Sequence, residues 1–265
     1  MPTFSVQPND KVTFKVLFED DSLAVVNKPP GTVTQPGLAH EDDSLLNGLF
    51  ARYGTALQNL GHSRDYGLLH RLDRATSGIL IVALRTDSYD RLRRQFENHT
   101  IKKFYWAIVK GAPKEPKGVL RMPIAEDHTR DITHRPTGKP RLARISRSGK
   151  PAITAYRVIE TSRVASLVEC RLLTGRLHQI RVHLNAIGCP VLGDDLYAPP
   201  GVRDAAPRLA LHSHRVVFDH PLTGATVDVH SPWPGDLKGL LKKLGLSKPS
   251  AGASGVATSE QGNEA

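Results

Sequence analysis

One short segment constrains the fold of this chain more than any other. Residues 79–84 read Ile-Leu-Ile-Val-Ala-Leu, an uninterrupted apolar run that predicts a buried strand. A charged cluster with one acid, Asp73, and a small polar turn at 75–78 come directly before it. Because a buried strand fixes the loop that enters it, a carboxylate on this loop is well placed for chemistry in a cleft. The alternative is a surface turn with an Asp–Arg pair, and the residues taken alone favour that alternative.

Periodicity along the rest of the chain predicts an α+β protein with a large, mostly antiparallel sheet. Apolar stretches at 16–18 and 23–26 flank a polar turn, as in a β-hairpin, and the second runs into a rigid Pro-Pro-Gly bend after Lys28. Further strands are predicted at 104–109, 152–159, 164–173, 209–218 and 226–230. Helices are predicted from Ser44 to Tyr53, after an N-cap at Thr86, at 176–187 with Gly188 as C-cap, and at 236–244.

The composition indicates a basic protein with room for a proper core. The chain has 265 residues, and its 36 Lys and Arg against 26 Asp and Glu leave a net charge of +10. This balance favours a polyanionic partner such as RNA, although a generally basic protein has it too. Cys170 and Cys189 form no Cys-x-x-Cys pair, which argues against a disulfide framework or a zinc site and suits a reducing cytoplasm. Neither a signal peptide nor a membrane partner is expected.

Two segments are predicted to lack regular structure. Residues 247–265 are rich in Ser, Gly, Ala and Glu and predict a disordered tail. Residues 126–150 combine many Lys and Arg with Pro and Gly and show no apolar period. They predict a basic, mobile loop, and both an RNA clamp and a plain solvated loop are open interpretations.

Four blocks, in order along the chain, resemble the RluA-type pseudouridine synthases. The block at 70–78 reads His-Arg-Leu-Asp-x-x-Thr-Ser-Gly and looks like the signature of that family. Similar blocks lie at 28–31, 102–111 and 174–183, the last followed by Gly-Cys-Pro at 188–190 and Gly-Asp-Asp-Leu-Tyr at 193–197. The resemblance spans about residues 15–232 and implies the pseudouridine synthase fold, with the active site in a cleft across the sheet.

The resemblance also implies a domain organisation. We expect an N-terminal arm at 1–10 and a catalytic domain at 11–246, before the tail. The dozen residues before the first block are too few for an S4-type RNA-binding domain, so the short form of the family is expected. Recognition would then depend on the catalytic domain and on the folded shape of the RNA.

Enzymes of this family isomerise uridines in 23S ribosomal RNA, in transfer RNA or in both, and the stretches 197–200 and 206–212 are most similar to the dual-specificity branch. The reaction breaks the N1–C1′ bond and rebuilds it through C5. Because it needs no redox change and no external energy, no cofactor and no metal are expected. The chain has no Gly-x-Gly-x-x-Gly, phosphate loop or His-Glu-x-x-His. The expected protein is a cytoplasmic monomer that binds RNA.

The matching motifs imply three catalytic residues. Asp73 corresponds to the nucleophile, which must be ionised, and Arg181 to the cation that pairs with it. Whether the aspartate attacks the sugar C1′ or the base stays open. Tyr105 is expected to stack on the flipped base. Removal of the C5 proton is its second expected role, because a phenol is a poor base without help. The alternative for Tyr105 is a core tyrosine on an alternating strand.

Several further residues are expected to bind or position the RNA. Arg71 would fill the hole left by the extruded base, with a phosphate contact or a salt bridge as alternatives. Lys28 would meet a backbone phosphate or shape the pocket, and Asp194 and Asp195 are interpreted as a turn rather than a glycosidase pair. The motifs assign the remaining substrate-binding positions to His70, Thr76, Arg176, His178 and Gln179.

Two other functions compete with the isomerase. A non-catalytic RNA-binding protein or assembly chaperone could keep the fold, but it would be free to lose Asp73, Tyr105 and Arg181, which are all present. A hydrolase would need a base-activated Ser or Cys, and Ser77 has no Gly-x-Ser-x-Gly around it.

Overall fold

The structure of this chain, a computed structural model, describes residues 4–37, 39–126 and 141–249. The strands in this part of the chain are β1 Lys15–Glu19, β2 Leu23–Lys28, β3 Ser77–Ala83, β4 Lys102–Lys110, β5 Lys117–Leu120, β6 Ile124–Glu126, β7 Ala143–Ile145, β8 Thr154–Thr161, β9 Ala165–Leu172, β10 Leu211–Asp219 and β11 Thr226–His230. The helices are α1 Leu45–Leu60, α2 Thr86–Glu97, α3 Gln179–Ala186, α4 Pro200–Arg203 and α5 Lys238–Leu244. Short 3-10 segments lie at His62–Gly67 and Gly235–Leu237.

Nine of these strands form one twisted sheet in the order β1-β2-β3-β10-β4-β9-β8-β5, with β11 paired to β10. Its neighbours run antiparallel except β3 and β10, which are parallel at Ser77 and Gly78. The predicted α+β class with a large, mostly antiparallel sheet is confirmed. The hairpin of β1 and β2 and the strand at 226–230 also form where the sequence predicts them.

Strand β3 lies at the centre of the core. All seven of its residues are buried, because helices and loops cover both faces of the sheet here. Gly78 has φ +118, and a Cβ at this position would lie 2.2 Å from the carbonyl oxygen of Ser213 on β10. Only glycine therefore lets the two parallel strands approach at the point where the Asp73 loop enters the sheet.

Four helices begin or end differently from the sequence-based expectation. Helix α1 starts after Ser44 as predicted but continues to Leu60. Helix α2 has Arg85, not Thr86, in the N-cap position, without a side-chain cap. Helix α3 starts at Gln179 rather than at 176, because the residues before it are held in an irregular turn by side-chain hydrogen bonds. Helix α5 begins at Lys238 rather than at 236, because Gly235–Leu237 form a 3-10 segment.

A short hairpin, β6 and β7, stands apart from the main sheet. The prediction of an irregular loop over 126–150 is wrong for its described part, since β7 pairs with β6 and buries Ala143. Ala143 joins Ile124, Ala152 and Val182 in a small apolar cluster, which we call the hairpin cluster; it is separate from the main core. Residues 127–140 lie outside the described residues, so the two interpretations of that part, an RNA clamp and a plain solvated loop, both stay open.

The two ends of the chain are only partly described. Residues 1–3 and 250–265 lie outside the described residues, and so does most of the predicted tail. Ser247, the first residue of that predicted tail, donates its N–H to Glu160 at 2.7 Å. At the other end, Ser5 donates its N–H to Gln58 on α1 at 2.8 Å. The boundaries at 10/11 and 246/247 stay predictions.

Candidate active site

A cleft of about 440 Å³ opens where the loop before β3, strand β4 and the start of α3 meet. Every residue predicted to belong to the site lines this cleft, with the exception of Lys28. Basic side chains dominate its charged lining, with Arg71, Lys103, Arg141 and Arg176 among them. The cleft can therefore attract a polyanion and enclose a small planar group at its base.

Lys28 belongs to the support of the site rather than to its surface. The residue has no solvent-exposed area, and its ammonium donates to the carbonyl oxygens of Pro29, Thr32 and Arg74 at 3.0, 2.8 and 3.2 Å. Of the two roles expected for Lys28, the phosphate contact is wrong, because a buried ammonium with three carbonyl partners cannot reach a phosphate in solvent. The alternative, that Lys28 shapes the pocket, stays a prediction. Burial lowers its pKa to about 7, and the nearby charge of Asp73 opposes this shift.

The Pro-Pro-Gly bend after Lys28 and the residues that follow it also hold the Asp73 loop by hydrogen bonds. Gly31 donates its N–H to the Arg74 carbonyl at 2.8 Å, and the Arg74 side chain returns a bond to the Gly31 carbonyl at 3.0 Å. The Thr34 hydroxyl bonds both the carbonyl and the N–H of Leu72, at 2.9 and 3.2 Å. Hydrogen bonds therefore fix Leu72 and Arg74, the residues on either side of Asp73. The Asp73 side chain is 24% exposed and lines the cleft.

Arg181 reaches Asp73 but bonds more closely to other carboxylates. Its Nη1 lies 3.6 Å from Oδ2 of Asp73, whereas Nε and Nη2 bond the two oxygens of Asp194 at 2.8 and 2.6 Å. Nη2 also bonds Asp195 at 3.1 Å. Burial disfavours the charge of Arg181, but the hydrogen bonds and charges of these carboxylates outweigh it, so the pKa of Arg181 is raised. A guanidinium so fixed is a permanent cation beside Asp73.

Asp194 has a larger role than the predicted turn. It does form a turn, since it accepts the N–H groups of Leu196 and Tyr197 at 3.0 and 3.1 Å. Its side chain is also only 1% exposed and bidentate with Arg181. Burial raises the pKa of Asp194, but the bonds from Arg181 and the two N–H groups outweigh this and lower it. Gly193, directly before Asp194, has φ +74, and a Cβ there would lie 1.9 Å from the Arg208 carbonyl oxygen, so this position requires glycine.

Tyr105 projects from the middle of β4 into the cleft, next to Ser213 on the neighbouring strand. The residue is 5% exposed. Burial raises the pKa of its phenol far above the usual value, and the charge of Asp73 acts in the same direction. The phenol is therefore neutral at physiological pH, which favours stacking over proton removal.

The predicted binding residues differ in their freedom to meet a substrate. Arg71 is exposed at the cleft and makes no hydrogen bond or ion pair with any described residue. The buried hydroxyl of Thr76 lines the cleft and has no hydrogen-bond partner in the described part of the chain. Arg176 donates to the Pro151 carbonyl at 3.0 Å. His70 is committed to the fold, since its Nε2 accepts the N–H of Ile81 at 3.1 Å.

The residues at the start of α3 form a polar network. The Gln179 side chain accepts from the Thr174 hydroxyl and the Arg176 N–H, at 2.8 and 3.0 Å, and donates to Thr154 at 2.9 Å. Gln179 therefore positions the turn rather than a substrate. His178 has a left-handed backbone with φ 53, and its Nε2 lies 3.9 Å from Oδ2 of Asp73.

The sequence analysis missed Lys103 and Tyr197 at this site. Lys103 lies two residues before Tyr105 and lines the same cleft, which strand alternation would have predicted. Its ammonium has no carboxylate partner among the described residues and lies 5.2 Å from the Phe96 ring centroid. Tyr197 packs its ring 5.2 Å from the Arg181 guanidinium carbon. No spacing rule points to Tyr197 in the sequence.

The described residues contain no group of three His, Cys, Asp or Glu side chains arranged to hold a metal. None of the helices within the described ranges has the length and apolarity needed to cross a membrane.

Comparisons with known proteins show which family the chain is similar to. Residues 22–186 match the family described as RNA pseudouridylate synthase. The chain is 36% identical to ribosomal large subunit pseudouridine synthase D of Zymomonas mobilis, over 91% of this chain and 75% of that protein. It is 36% identical to the dual-specificity RNA pseudouridine synthase RluA of Escherichia coli K12, over 82% of this chain and 92% of that protein.

The fold is similar to a solved structure with a related name. Human RNA pseudouridylate synthase domain containing 4 superposes with a TM-score of 0.67 at 27% sequence identity, covering 89% of this chain and 94% of that one.

Proposed function

Since the chain belongs to the RNA pseudouridylate synthase family, we propose that it isomerises specific uridines of 23S ribosomal RNA, transfer RNA or both, with Asp73 as nucleophile. The chain is an RNA pseudouridine synthase, and the RNAs are inferred from the names of its relatives. The observation that carries the proposed site is the approach of Arg181 to Asp73 at 3.6 Å inside a basic cleft.

The proposed reaction uses each element of the cleft. The N1–C1′ bond of a flipped-out uridine breaks, the base turns in place, and a C5–C1′ bond forms; the C5 proton is lost and N1 gains one. Arg181 stabilises the ionised form of the Asp73 carboxylate. Asp73 must be ionised, with a free oxygen lone pair, to act as a nucleophile. Tyr105 supports the base by stacking.

Arg71 and Thr76 are proposed to contact the substrate, because their side-chain polar groups are without a partner in the described part of the chain. The guanidinium of Arg71, which has no partner among the described residues, would occupy the gap in the RNA stack, where extrusion costs a few kcal/mol. The Thr76 hydroxyl, buried and unpartnered within the described residues, would hydrogen bond a polar edge of the uracil. His178 and Arg176 would line the entrance. The proposal needs no cofactor and no partner other than RNA, and it retains the expectation of a cytoplasmic monomer.

Tritium release tests this proposal. Unmodified 23S fragments and transfer RNAs, transcribed with 5-tritiated uridine, are incubated separately with the wild type and with Asp73→Asn. The wild type should release tritium from at least one RNA class, and Asp73→Asn should be slower by about 10⁴-fold or more. Asp21→Asn, the same change on the β1–β2 turn, is the matched control and should keep wild-type activity.

The outcomes separate the competing functions. Tight RNA binding without release from any RNA would support the non-catalytic RNA-binding protein. Equal release by the wild type and Asp73→Asn would show that another group is the nucleophile.

A further inference from the structure

The hydroxyl of Tyr197 connects the β6–β7 hairpin to the wall of the active site. Its oxygen accepts the backbone N–H of Ala143 on β7 at 2.9 Å and lies 2.7 Å from Nδ1 of His178. The Tyr197 ring packs edge-on against the His178 ring and beside the guanidinium of Arg181. The proposed reaction does not use this hydroxyl.

The position of the hydroxyl proton follows from the donors and acceptors around it. The N–H of Ala143 can only donate, so it occupies one lone pair of the Tyr197 oxygen. The phenol's own proton then has Nδ1 of His178 as its acceptor. If Nδ1 carried the proton instead, the Tyr197 O–H would have no acceptor among the described residues.

A neutral imidazole whose Nδ1 accepts a hydrogen bond must carry its proton on Nε2. Burial lowers the pKa of His178, which favours the neutral ring, although the charge of Asp73 acts in the opposite direction. Nε2 lies 3.9 Å from Oδ2 of Asp73, the same oxygen that Arg181 approaches at 3.6 Å. The left-handed backbone of His178 is unusual for a residue with a Cβ, and it persists only where the surroundings hold it.

We propose that Tyr197 is a positioning residue whose hydroxyl holds His178 in the Nε2–H tautomer and so directs a second N–H donor at Oδ2 of Asp73. Both donors then address one carboxylate oxygen, and Oδ1 is left for attack. Because β7 holds the same hydroxyl, docking of the hairpin and the tautomer of His178 are coupled. The catalytic part of this inference rests on the proposed role of Asp73.

Long-range ¹H–¹⁵N spectra of the full chain with ¹⁵N-labelled histidine report the tautomer directly. His178→Ala assigns the signals of His178 by their disappearance. In the wild type at neutral pH we expect Nε2 protonated and Nδ1 unprotonated. In Tyr197→Phe, which keeps the ring but lacks the hydroxyl, that preference should be lost.

The chain offers an internal reference and a matched control for this experiment. His183 is held by a different set of partners, because its Nε2 bonds the Met122 carbonyl and its Nδ1 the Thr154 hydroxyl, both at 2.9 Å. Its signals should be the same in the wild type and in Tyr197→Phe, which also shows that the variant is folded. Tyr156→Phe removes a tyrosine hydroxyl outside the cleft and should leave the His178 signals unchanged.

Kinetics provide a second readout. Tyr197→Phe should lower kcat by about tenfold, the order expected for one hydrogen bond, and leave KM nearly unchanged. In a His178→Ala background the same substitution should have less than about a twofold further effect, because the group it positions is gone.

Two results would overturn the proposal: a wild-type His178 with Nδ1 protonated, or a Tyr197→Phe spectrum with the tautomer unchanged. The first needs no variant, so a misfolded variant cannot hide it. Failure of the isomerase proposal would look different, since no RNA would release tritium while the tautomer result would stand by itself.

Discussion

Strand β3 and helix α3 bring the two charged partners of the active site together by different kinds of packing. Every side chain of β3 is buried, and five of its seven residues are apolar, in the main core. Helix α3 buries three polar side chains as well, Gln179, Arg181 and His183, and each of them is hydrogen bonded. Its outer side packs on the hairpin cluster through Val182.

The apolar packing of β3 and the polar contacts of α3 meet different requirements of the active site. Hydrophobic burial is non-directional and needs only the right volume, so it can hold the Asp73 loop firmly at the end of β3. Hydrogen bonds and ion pairs are directional, so they can aim a guanidinium. We therefore expect damage to β3 to appear mainly as lost stability, and damage around α3 to appear as lost stability and lost catalysis together.

The largest effect is expected when the ion pair of α3 is broken. Asp194→Ala leaves the guanidinium of Arg181 buried beside fewer counter-charges, which should lower the free energy of unfolding by about 3–5 kcal/mol. Tritium release should fall as well, because the Arg181 guanidinium is no longer held in its orientation toward Asp73. Asp195→Ala, whose side chain is 67% exposed, should cost less than about 1 kcal/mol in denaturant titrations. Equal losses in the two variants would contradict this account of Arg181.

Two truncations, one on β3 and one in the hairpin cluster beside α3, compare the two regions directly. Leu80→Ala on β3 should lower the free energy of unfolding by about 2–5 kcal/mol. At a temperature where the variant is folded, its kcat should stay within a few-fold of wild type. Ile124→Ala in the hairpin cluster should destabilise less but lower kcat more, because β7 and α3 lose their shared packing. Urea unfolding measures the stability of each variant, and single-turnover assays measure its activity. If the ratio of lost stability to lost activity were the same for Leu80→Ala and Ile124→Ala, the proposed difference between β3 and α3 would be wrong.

The hydrogen bond between His70 and β3 gives a pH dependence. His70 accepts the Ile81 N–H through Nε2, and burial lowers its pKa from 6.5 to about 3. The unfolded chain therefore takes up this proton first as the pH falls. The contribution of His70 to stability is complete above pH 6.5 and is lost progressively toward pH 3.

His70→Gln removes this component of the pH dependence. Between pH 6.5 and 4.5 the variant should lose roughly 2 kcal/mol less stability than the wild type, at about 1.4 kcal/mol per pH unit for one proton. Urea titrations at the two pH values give the difference. Parallel losses in wild type and variant would show that His70 is not responsible.

The smallest effect is expected at Lys103, which lines the cleft between the two regions. Burial lowers its pKa to about 8, and it has no carboxylate partner in the described ranges, so an RNA phosphate is a suitable counter-ion. Lys103→Met should weaken RNA binding and reduce the slope of log K against log salt by about 1. Lys102→Met, on the exposed end of the same strand, is the matched control and should change the slope much less. Equal slopes for both variants would remove Lys103 from the RNA contact surface.

The apolar part of the fold could be predicted from the sequence because its signals are local. The run at 79–84 and the alternation at 104–109 predict β3 and β4, since strand periodicity depends on neighbouring residues alone. The family blocks also indicate Asp73, Tyr105 and Arg181. Whether these three residues act as proposed is a question for the experiments above.

The polar supports of the site could not be predicted in the same way. Lys28 satisfies the Arg74 carbonyl 46 residues away, and Asp194 binds Arg181 across a turn. No periodicity encodes such pairings, because they depend on the tertiary fold. The start of α3 at Gln179 could not be predicted for the same reason, since the Gln179 side chain holds the preceding turn by a hydrogen bond.

The most direct test of the central claim is the structure of Asp73→Asn bound to the RNA that releases tritium. The account predicts one uridine extruded from its stack, with its ring against Tyr105 and with its C1′ atom and its base near residue 73. Arg71 should lie in the gap that this base leaves. A complex in which the reactive uridine remains stacked, or lies outside the cleft, would contradict the account.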